Sequence, residues 1–109
     1  MQTELPVIPE LRLALAAPDT RDAVRAGALV GDPVRAGILA ILRDGPHCVC
    51  EMAAALGERQ NNVSNHLARL REAGLVQASR HRVDARWVYY ERDEGAIAAA
   101  TEALRAVLR

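Results

Sequence analysis

Apolar residues in the first half of the chain recur with the period of an α-helix. Asp19 predicts the cap of a helix that extends to about Val30. Asp32-Pro33 then combines an N-cap residue with proline at the first helical position, which predicts the start of a second helix. Gly45-Pro46 ends it. Its apolar face consists of Ile38, Leu39, Ile41 and Leu42.

Two short helices are predicted next, and together they indicate a helix-turn-helix. The first covers about residues 49–56 and is closed by Gly57, and the second covers about 60–73 and is closed by Gly74. In the second helix, Val63, Leu67 and Leu70 repeat at helical spacing and must face inward.

After Gly74 the residues favour strands rather than helices. Residues 75–79 and 86–91 have strand character, and residues 80–85 between them predict a charged hairpin. Trp87, Tyr89 and Tyr90 belong to the segment richest in β-favouring residues, and we expect them in the core.

A last helix and an N-terminal arm complete the predicted organisation. Asp93 caps the helix, and its apolar stripe consists of Ile97, Leu104 and Leu108. The predicted fold class is mainly α with a small β-hairpin, a winged helix-turn-helix. The predicted divisions are an arm over 1–18 and one domain over 19–109, with the helix-turn-helix at about 49–73, the wing at about 75–91 and the C-terminal helix at about 93–108.

One face of the second short helix carries side chains suited to DNA. Asn61, Asn65 and Ala68 point away from the apolar stripe, and amides and hydroxyls both donate and accept hydrogen bonds to base edges. Arginines of the following hairpin would lie beside phosphates or in the minor groove. The predicted DNA-binding residues are Gln60, Asn61, Asn62, Ser64, Asn65, Arg69, Arg80, Arg82 and Arg86. His66 adjoins the stripe, and we expect it to be a partly buried, hydrogen-bonded structural residue.

The charge distribution agrees with a local DNA interface although the net charge of the chain is zero. Residues 58–92 contain seven arginines and four acids, and local charge is what attracts a phosphate backbone. No apolar run approaches the roughly 18 residues of a membrane span, and the N-terminus lacks a signal peptide, so a cytoplasmic protein without membrane contact is expected. Nothing in the sequence resembles a catalytic nucleophile with its base, a phosphate-binding loop or a complete catalytic metal site, so an enzyme is not expected.

The two cysteines, Cys48 and Cys50, are separated by one residue. A disulfide across one residue would be strained, and in a reducing cytosol such a pair indicates metal or redox chemistry. Thiolates bind soft cations and arsenic(III), and two on one short segment can chelate.

Several of these segments resemble the ArsR/SmtB family of metal-sensing repressors. Residues 31–39 (GDPVRAGIL) are similar to the family's "ADPTRLRIL" helix, and residues 47–52 (HCVCEM) to its "LCVCDL" inducer site. Residues 62–67 (NVSNHL), 72–76 (EAGLV) and 86–90 (RWVYY) resemble its recognition helix and wing. The resemblance implies a homodimer through the first and last helices that binds double-stranded DNA at an imperfect palindrome in its own promoter.

The chain departs from the family pattern at several positions. Arg59 stands where a serine commonly caps the recognition helix, which weakens that cap or moves it to Glu58. The hairpin tip lacks the usual glycine. The third cysteine of the arsenic-sensing members would fall at Ala53, and no histidine follows Asp93 to complete a zinc site on the last helix.

The spacing of the cysteines predicts how a ligand would act. Residues two apart on a regular helix point about 200° apart, so both sulfurs could hold one atom only if the start of the helix unwound. A helix start is also expected to lower thiol pKa values.

The number of sulfurs bears on the inducer. Two cysteines suit arsenite with an additional external ligand, a methylated arsenic(III) species or antimonite. A soft divalent metal such as Cd²⁺, Zn²⁺ or Pb²⁺ would need His47, the arm or the partner protomer to complete its coordination. Redox control of the cysteines and an unregulated DNA-binding module are the remaining alternatives, and DNA binding itself is expected to need no cofactor.

Overall fold

The computed structural model describes residues 18–79 and 86–109 of the 109-residue chain. The helices are α1 (Pro18–Val30), α2 (Pro33–Leu42), α3 (Val49–Leu56), α4 (Gln60–Glu72) and α5 (Glu94–Leu108), and the strands are β1 (His47–Cys48), β2 (Val76–Ala78) and β3 (Tyr89–Arg92). The mainly helical fold with a small antiparallel sheet confirms the predicted fold class. Residues 1–17 of the predicted arm and the hairpin over 80–85 lie outside the described residues. The prediction that Asp19 caps the first helix was wrong, because α1 already begins at Pro18.

Helix α2 begins where the sequence predicts. Asp32 is in the extended conformation, and its Oδ1 atom accepts hydrogen bonds from the backbone N–H groups of Val34 at 2.8 Å and Arg35 at 3.1 Å. Pro33 has no N–H to satisfy and presets the first helical φ angle. The cap therefore fixes the direction in which α2 leaves α1.

Helices α3 and α4 form the helix-turn-helix, and glycines close both. Gly57 (φ +67°) and Gly74 (φ +80°) adopt the left-handed conformation, which only glycine enters without steric cost. At the start of α4, Arg59 is the N-cap and its side chain makes no capping hydrogen bond, as expected from the missing serine. The Glu58 carboxylate instead accepts from the Asn62 side chain at 2.9 Å, across the first turn.

The sheet has one more strand than the sequence predicted. Its order is β1-β3-β2, both pairs are antiparallel, and β1 places His47 opposite Tyr90 and Cys48 opposite Tyr89. The prediction of a strand from residue 86 was wrong at its start, because the strand begins at Tyr89. The expectation that Trp87 is a core residue was also wrong, since its side chain precedes the strand and is 48% exposed.

The core lies where α2, α3 and α4 meet above β2. Its most deeply buried side chains are Ile38, Met52, Val63 and Leu70, which come from these three helices. Helix α5 has no buried residue and packs along α1, where a Cβ added to Gly27 would lie 3.7 Å from Leu104. Within the described ranges, no helix is both long and apolar enough to cross a bilayer.

Candidate nucleic-acid interface and thiol site

Helix α4 presents its polar face to solvent. Val63, Leu67 and Leu70 are buried, as predicted from their spacing. On the opposite face the predicted DNA-binding residues Gln60, Asn61, Ser64, Asn65 and Arg69 are all exposed. The helix therefore offers a continuous row of amide, hydroxyl and guanidinium groups, which is the chemistry that major-groove readers use.

The other four predicted DNA-binding residues are not part of this row. Asn62 is half-buried, and its amide group donates to Glu58, so part of its hydrogen-bonding capacity is used inside the protein. Arg80 and Arg82 lie outside the described residues. Arg86 is exposed and precedes β3 on the wing side of the sheet.

Sequence reasoning missed two exposed apolar residues next to Arg86. Trp87 and Val88 are both about half exposed and occupy the approach to β3. Adjacent exposed apolar residues are more informative than a single one, because contiguous apolar patches often mark contact surfaces. Their β-favouring composition suggested the core, because they share it with Tyr89 and Tyr90 of the strand that follows.

The two cysteines form a close thiol pair at the start of α3. Both are free, Cys48 is 4% exposed and Cys50 is half-buried, and their Sγ atoms lie 3.0 Å apart. That distance is well beyond a covalent disulfide bond of about 2.05 Å. The pair therefore consists of two thiols in contact.

A local capping arrangement holds Cys48 in place. Cys48 is the N-cap of α3, with extended backbone angles (φ −92°, ψ 166°), and its backbone N–H donates to Glu51 Oε1 at 3.0 Å. In return its sulfur lies over the backbone N–H of Glu51, so the two residues form a capping box. The hydrogen bond from Cys48 N–H is the main reason why the pKa of Glu51 is lowered.

This position corrects the expected pKa of the thiol. Burial, followed by the hydrogen bond with Cys50, raises the pKa of Cys48 from 9.0 to about 11. The neighbouring Glu51 carboxylate adds to the rise. The expectation of a lowered thiol pKa was wrong here, because desolvation and a nearby negative charge raise the pKa of Cys48 by more than the helix N-terminus lowers it. At neutral pH, Cys48 is a protonated thiol.

The expectation that the sulfurs diverge was also wrong. It placed both cysteines on a regular helix, whereas Cys48 precedes the first helical residue and is extended, which turns its sulfur towards Cys50. Two sulfurs bound at about 2.3 Å to one tetrahedral ion would be roughly 3.8 Å apart. The pair is already within that separation with α3 intact, so chelation does not require the first turn to unwind.

Other ligands near the pair are few. The Nδ1 atom of His47 is 2.8 Å from the carbonyl oxygen of Gly45, and Ala53 occupies a buried position in α3. Within residues 18–79 and 86–109, no group of three or more His, Cys, Asp or Glu side chains could hold a metal ion. The described part of one protomer therefore supplies two sulfurs.

Comparison with known proteins relates this arrangement to one family. Residues 32–78 match the model of a bacterial regulatory protein family, the arsR family. "Arsenic resistance transcriptional regulator ArsR1" of Pseudomonas putida strain KT2440 is 45% identical over 62 residues, which are 56% of this chain and 46% of that protein. The "Arsenical resistance operon repressor" of Escherichia coli strain K12 is 40% identical over 63 residues, which are 57% of this chain and 51% of that protein.

The fold has similar counterparts among solved structures. A "possible transcriptional regulator for arsenical resistance" superposes with a TM-score of 0.61 and 31% identity, covering 76% of this chain and 79% of the other. The match to the two curated relatives spans only about half the length of each. The matched residues 32–78 include α2, both helices of the helix-turn-helix and the two cysteines.

Proposed function

This chain belongs to the arsR family of bacterial regulatory proteins, and on that premise we propose that it is a transcriptional repressor that leaves its operator when an arsenic(III) species binds Cys48 and Cys50. The observation that carries the proposal is the 3.0 Å separation of two free thiols at the start of α3, the first helix of the helix-turn-helix. Arsenic resistance in the names of two relatives supports the choice of ligand.

DNA binding is proposed for the exposed face of α4 and for the wing. The exposed amides of Asn61 and Asn65 would contact base edges, with Ser64 and Arg69 beside them. Gln60 and Asn62 lie at the N-terminal end of the helix, where base contacts of recognition helices cluster. Arg80, Arg82 and Arg86 are proposed to contact phosphates from the wing.

A homodimer is proposed through α1 and α5. Helix α5 has no buried residue in the protomer, and its end exposes Val107 and Leu108, the latter to 80%. Val24 on α1 is exposed as well. Two-fold pairing of these helices would cover apolar surface and would place two α4 helices on successive half-sites of an operator.

The proposed binding step exchanges hydroxyl groups on arsenic for sulfur. Each thiol forms one As–S bond, its proton leaves with the displaced hydroxide as water, and no oxidation state changes. For Cys48, whose raised pKa keeps it protonated at neutral pH, the thiol proton leaves with the departing water. Arsenite has three exchangeable positions and would keep one hydroxyl or take an external thiol, whereas a methylated arsenic(III) species has two. Antimonite follows the same chemistry.

Two contacts would carry the effect of the ligand to the DNA-binding elements. Cys48 pairs with Tyr89 of β3, the last strand of the predicted wing, and it also caps α3, which packs against α4. A ligand that separates the sulfurs or moves Cys48 out of its capping box would shift both β3 and the start of α3. Its binding energy is thereby coupled to the loss of the DNA-binding arrangement.

The decisive experiment is a fluorescence-anisotropy titration of the protein on a labelled duplex from the region upstream of its own coding sequence. Arsenite, phenylarsine oxide and antimonite are added to wild type, Cys48→Ser, Cys50→Ser and the double variant. We expect release of wild type and at least tenfold weaker release of the double variant, which would still bind the duplex. Equal release of both proteins would overturn the sensing role of the cysteines.

Parallel titrations separate the alternatives. Release by Cd²⁺, Zn²⁺ or Pb²⁺ that His47→Gln abolishes would favour a divalent-metal sensor over the proposed arsenic(III) sensor. Release by peroxide alone would favour redox control. Specific DNA binding that none of these reagents changes would leave an unregulated winged-helix protein.

A further inference from the structure

A buried arginine joins three helices of the protein. Arg35, in the first turn of α2, is 8% exposed. Its Nε atom donates to the carbonyl oxygen of Leu29 at 2.6 Å and its Nη2 atom to that of Ala28 at 3.1 Å, both in the last turns of α1. Its Nη1 atom lies 3.0 Å from Nδ1 of His66 on α4.

The geometry determines the protonation state of His66. A guanidinium group has donors and no acceptor, so Nδ1 of His66 must accept from Arg35. The imidazole is therefore neutral, with its proton on Nε2. As expected from the sequence, His66 is a partly buried, hydrogen-bonded residue.

One carboxylate accompanies the pair. Asp32 Oδ1 lies 3.7 Å from Nδ1 of His66, beyond hydrogen-bonding distance, while it caps α2. The hydrogen bond from the backbone N–H of Arg35 is the main reason why the pKa of Asp32 lies below 3.8, and the hydrogen bond from the backbone N–H of Val34 and the charge of Arg35 add to it. Among the described residues, the charged side chains shown to face His66 are Arg35 of α2 and Asp32 at its N-cap, whereas α1 contributes two backbone carbonyls that accept from Arg35.

We propose that Arg35 and His66 are positioning residues that orient the recognition helix α4 relative to α1, so that protonation of His66 weakens operator binding. This inference rests on the proposed function, in which α1 forms the dimer interface and α4 reads DNA. The chain of contacts runs from the α1 carbonyls through one guanidinium group to α4. The angle between the two α4 helices of the dimer depends on it.

Protonation interrupts this series of contacts at Nδ1 of His66. A proton on Nδ1 of His66 removes the acceptor of Arg35 Nη1 and places two positive groups 3.0 Å apart. The charged imidazole then turns towards Asp32, the nearest carboxylate, and the buried guanidinium loses its contact with α4. Histidine side chains change charge between about pH 5 and 8, so the effect falls within an accessible range.

Two substitutions of His66 isolate this effect. His66→Gln keeps an acceptor oxygen but cannot become charged, and His66→Leu keeps similar bulk without an acceptor. We expect the operator affinity of wild type, measured by anisotropy on the upstream duplex, to fall roughly tenfold more than that of His66→Gln between pH 8 and pH 5.5. His66→Leu should bind weakly at every pH. Parallel pH profiles of wild type and His66→Gln would overturn the proposal.

A second measurement tests the link without DNA. In NMR spectra of the full chain, the ¹⁵N shifts of His66 should report an unprotonated Nδ1 at pH 8. The amide signals of Ala28 and Leu29 should then follow the titration of His66 in wild type but not in Arg35→Met. If the amide signals of α1 do not change as His66 is titrated, the link between α1 and α4 is overturned, even if all variants bind DNA. Failure of every form to bind the duplex would instead contradict the proposed function, and the NMR titration would still decide whether α1 and α4 are linked.

Discussion

Cys48 lies directly opposite Tyr89 in the antiparallel pair of β1 and β3. Directly opposed residues of such a pair project from the same face of the sheet, and both of these side chains are buried. Because β3 is the last strand of the predicted wing, the residue that carries the buried thiol also supports the wing. A displacement of Cys48 therefore reaches β3 through one cross-strand neighbour.

The first prediction uses the single tryptophan of the sequence as a reporter of this link. Trp87 is 48% exposed and lies two residues before Tyr89. We expect the emission maximum of Trp87 to shift when phenylarsine oxide binds wild type, and to stay constant in the Cys48→Ser, Cys50→Ser double variant. Unchanged emission at full occupancy, established by loss of titratable thiols, would show that the wing does not respond.

The second prediction concerns helix α3, whose start need not unwind to bring the sulfurs together. Amide hydrogen exchange of residues 53–56 should remain slow in the phenylarsine oxide complex, as in the unliganded protein, because their hydrogen-bond acceptors lie within the intact helix. The exchange rates of α2 serve as an internal reference. Fast exchange at residues 53 and 54 in the complex alone would restore the unwinding mechanism.

The third prediction follows from the raised pKa of Cys48. Burial raises this pKa from 9.0 to about 11, so the folded protein holds the thiol proton more tightly than the unfolded chain does. This contribution to stability is fully present below about pH 9 and is lost as the pH rises towards 11. Urea unfolding of the reduced protein at pH 8, 9 and 10 should show falling stability in wild type and a flatter profile in Cys48→Ala.

Cys50→Ala is the matched control for this pH dependence. It keeps the burial of Cys48, which is the main cause of the raised pKa, and removes only the hydrogen bond between the thiols. Most of the pH dependence should therefore persist in Cys50→Ala. If Cys48→Ala and wild type lost stability in parallel, the buried thiol would not be its source.

The fourth prediction concerns the close approach of α2 and α3. A Cβ added at Gly37 would lie 2.5 Å from Cδ2 of Leu56, at the end of the helix that carries Cys50. Alanine is intrinsically about 1 kcal/mol better than glycine within a helix, but overpacking costs about 1–3 kcal/mol. We expect Gly37→Ala to lower the free energy of unfolding in wild type and to raise it in a Leu56→Ala background. The same sign in both backgrounds, measured by urea unfolding, would show that Leu56 does not set the spacing.

Most of the fold could be predicted because its signals are local. The cap at Asp32, the proline after it and the glycines at 57 and 74 act within a few residues, and the helix bounds follow from them. Strand β1 could not be predicted, because two residues form it only by pairing with Tyr89 and Tyr90, about forty positions later. The same pairing holds Cys48 extended, which explains why a purely helical view of the cysteines misplaced their sulfurs.

The exposed residues of the candidate site could be predicted from the sequence, whereas its buried contacts could not. The exposed face of α4 follows from its apolar stripe, since three inward residues determine which side chains point outward. The contact between Arg35 and His66 spans 31 positions and joins different helices. Its one sequence signal is an arginine at the start of an otherwise apolar helix, which an exposed position would explain equally well.

The last prediction separates base reading from phosphate contact. Asn65→Ala removes an exposed amide from α4, and we expect it to weaken binding to the upstream duplex by about 1–3 kcal/mol while leaving binding to a scrambled duplex unchanged. Arg82→Ala should weaken both duplexes and reduce the salt dependence by about one released counterion. Arg43→Ala, which removes an exposed arginine outside the helix-turn-helix and wing, is the matched control and should change neither. An unchanged preference in Asn65→Ala would mean that the Asn65 side chain does not read the bases, and that other contacts or the shape of the DNA distinguish the two sequences.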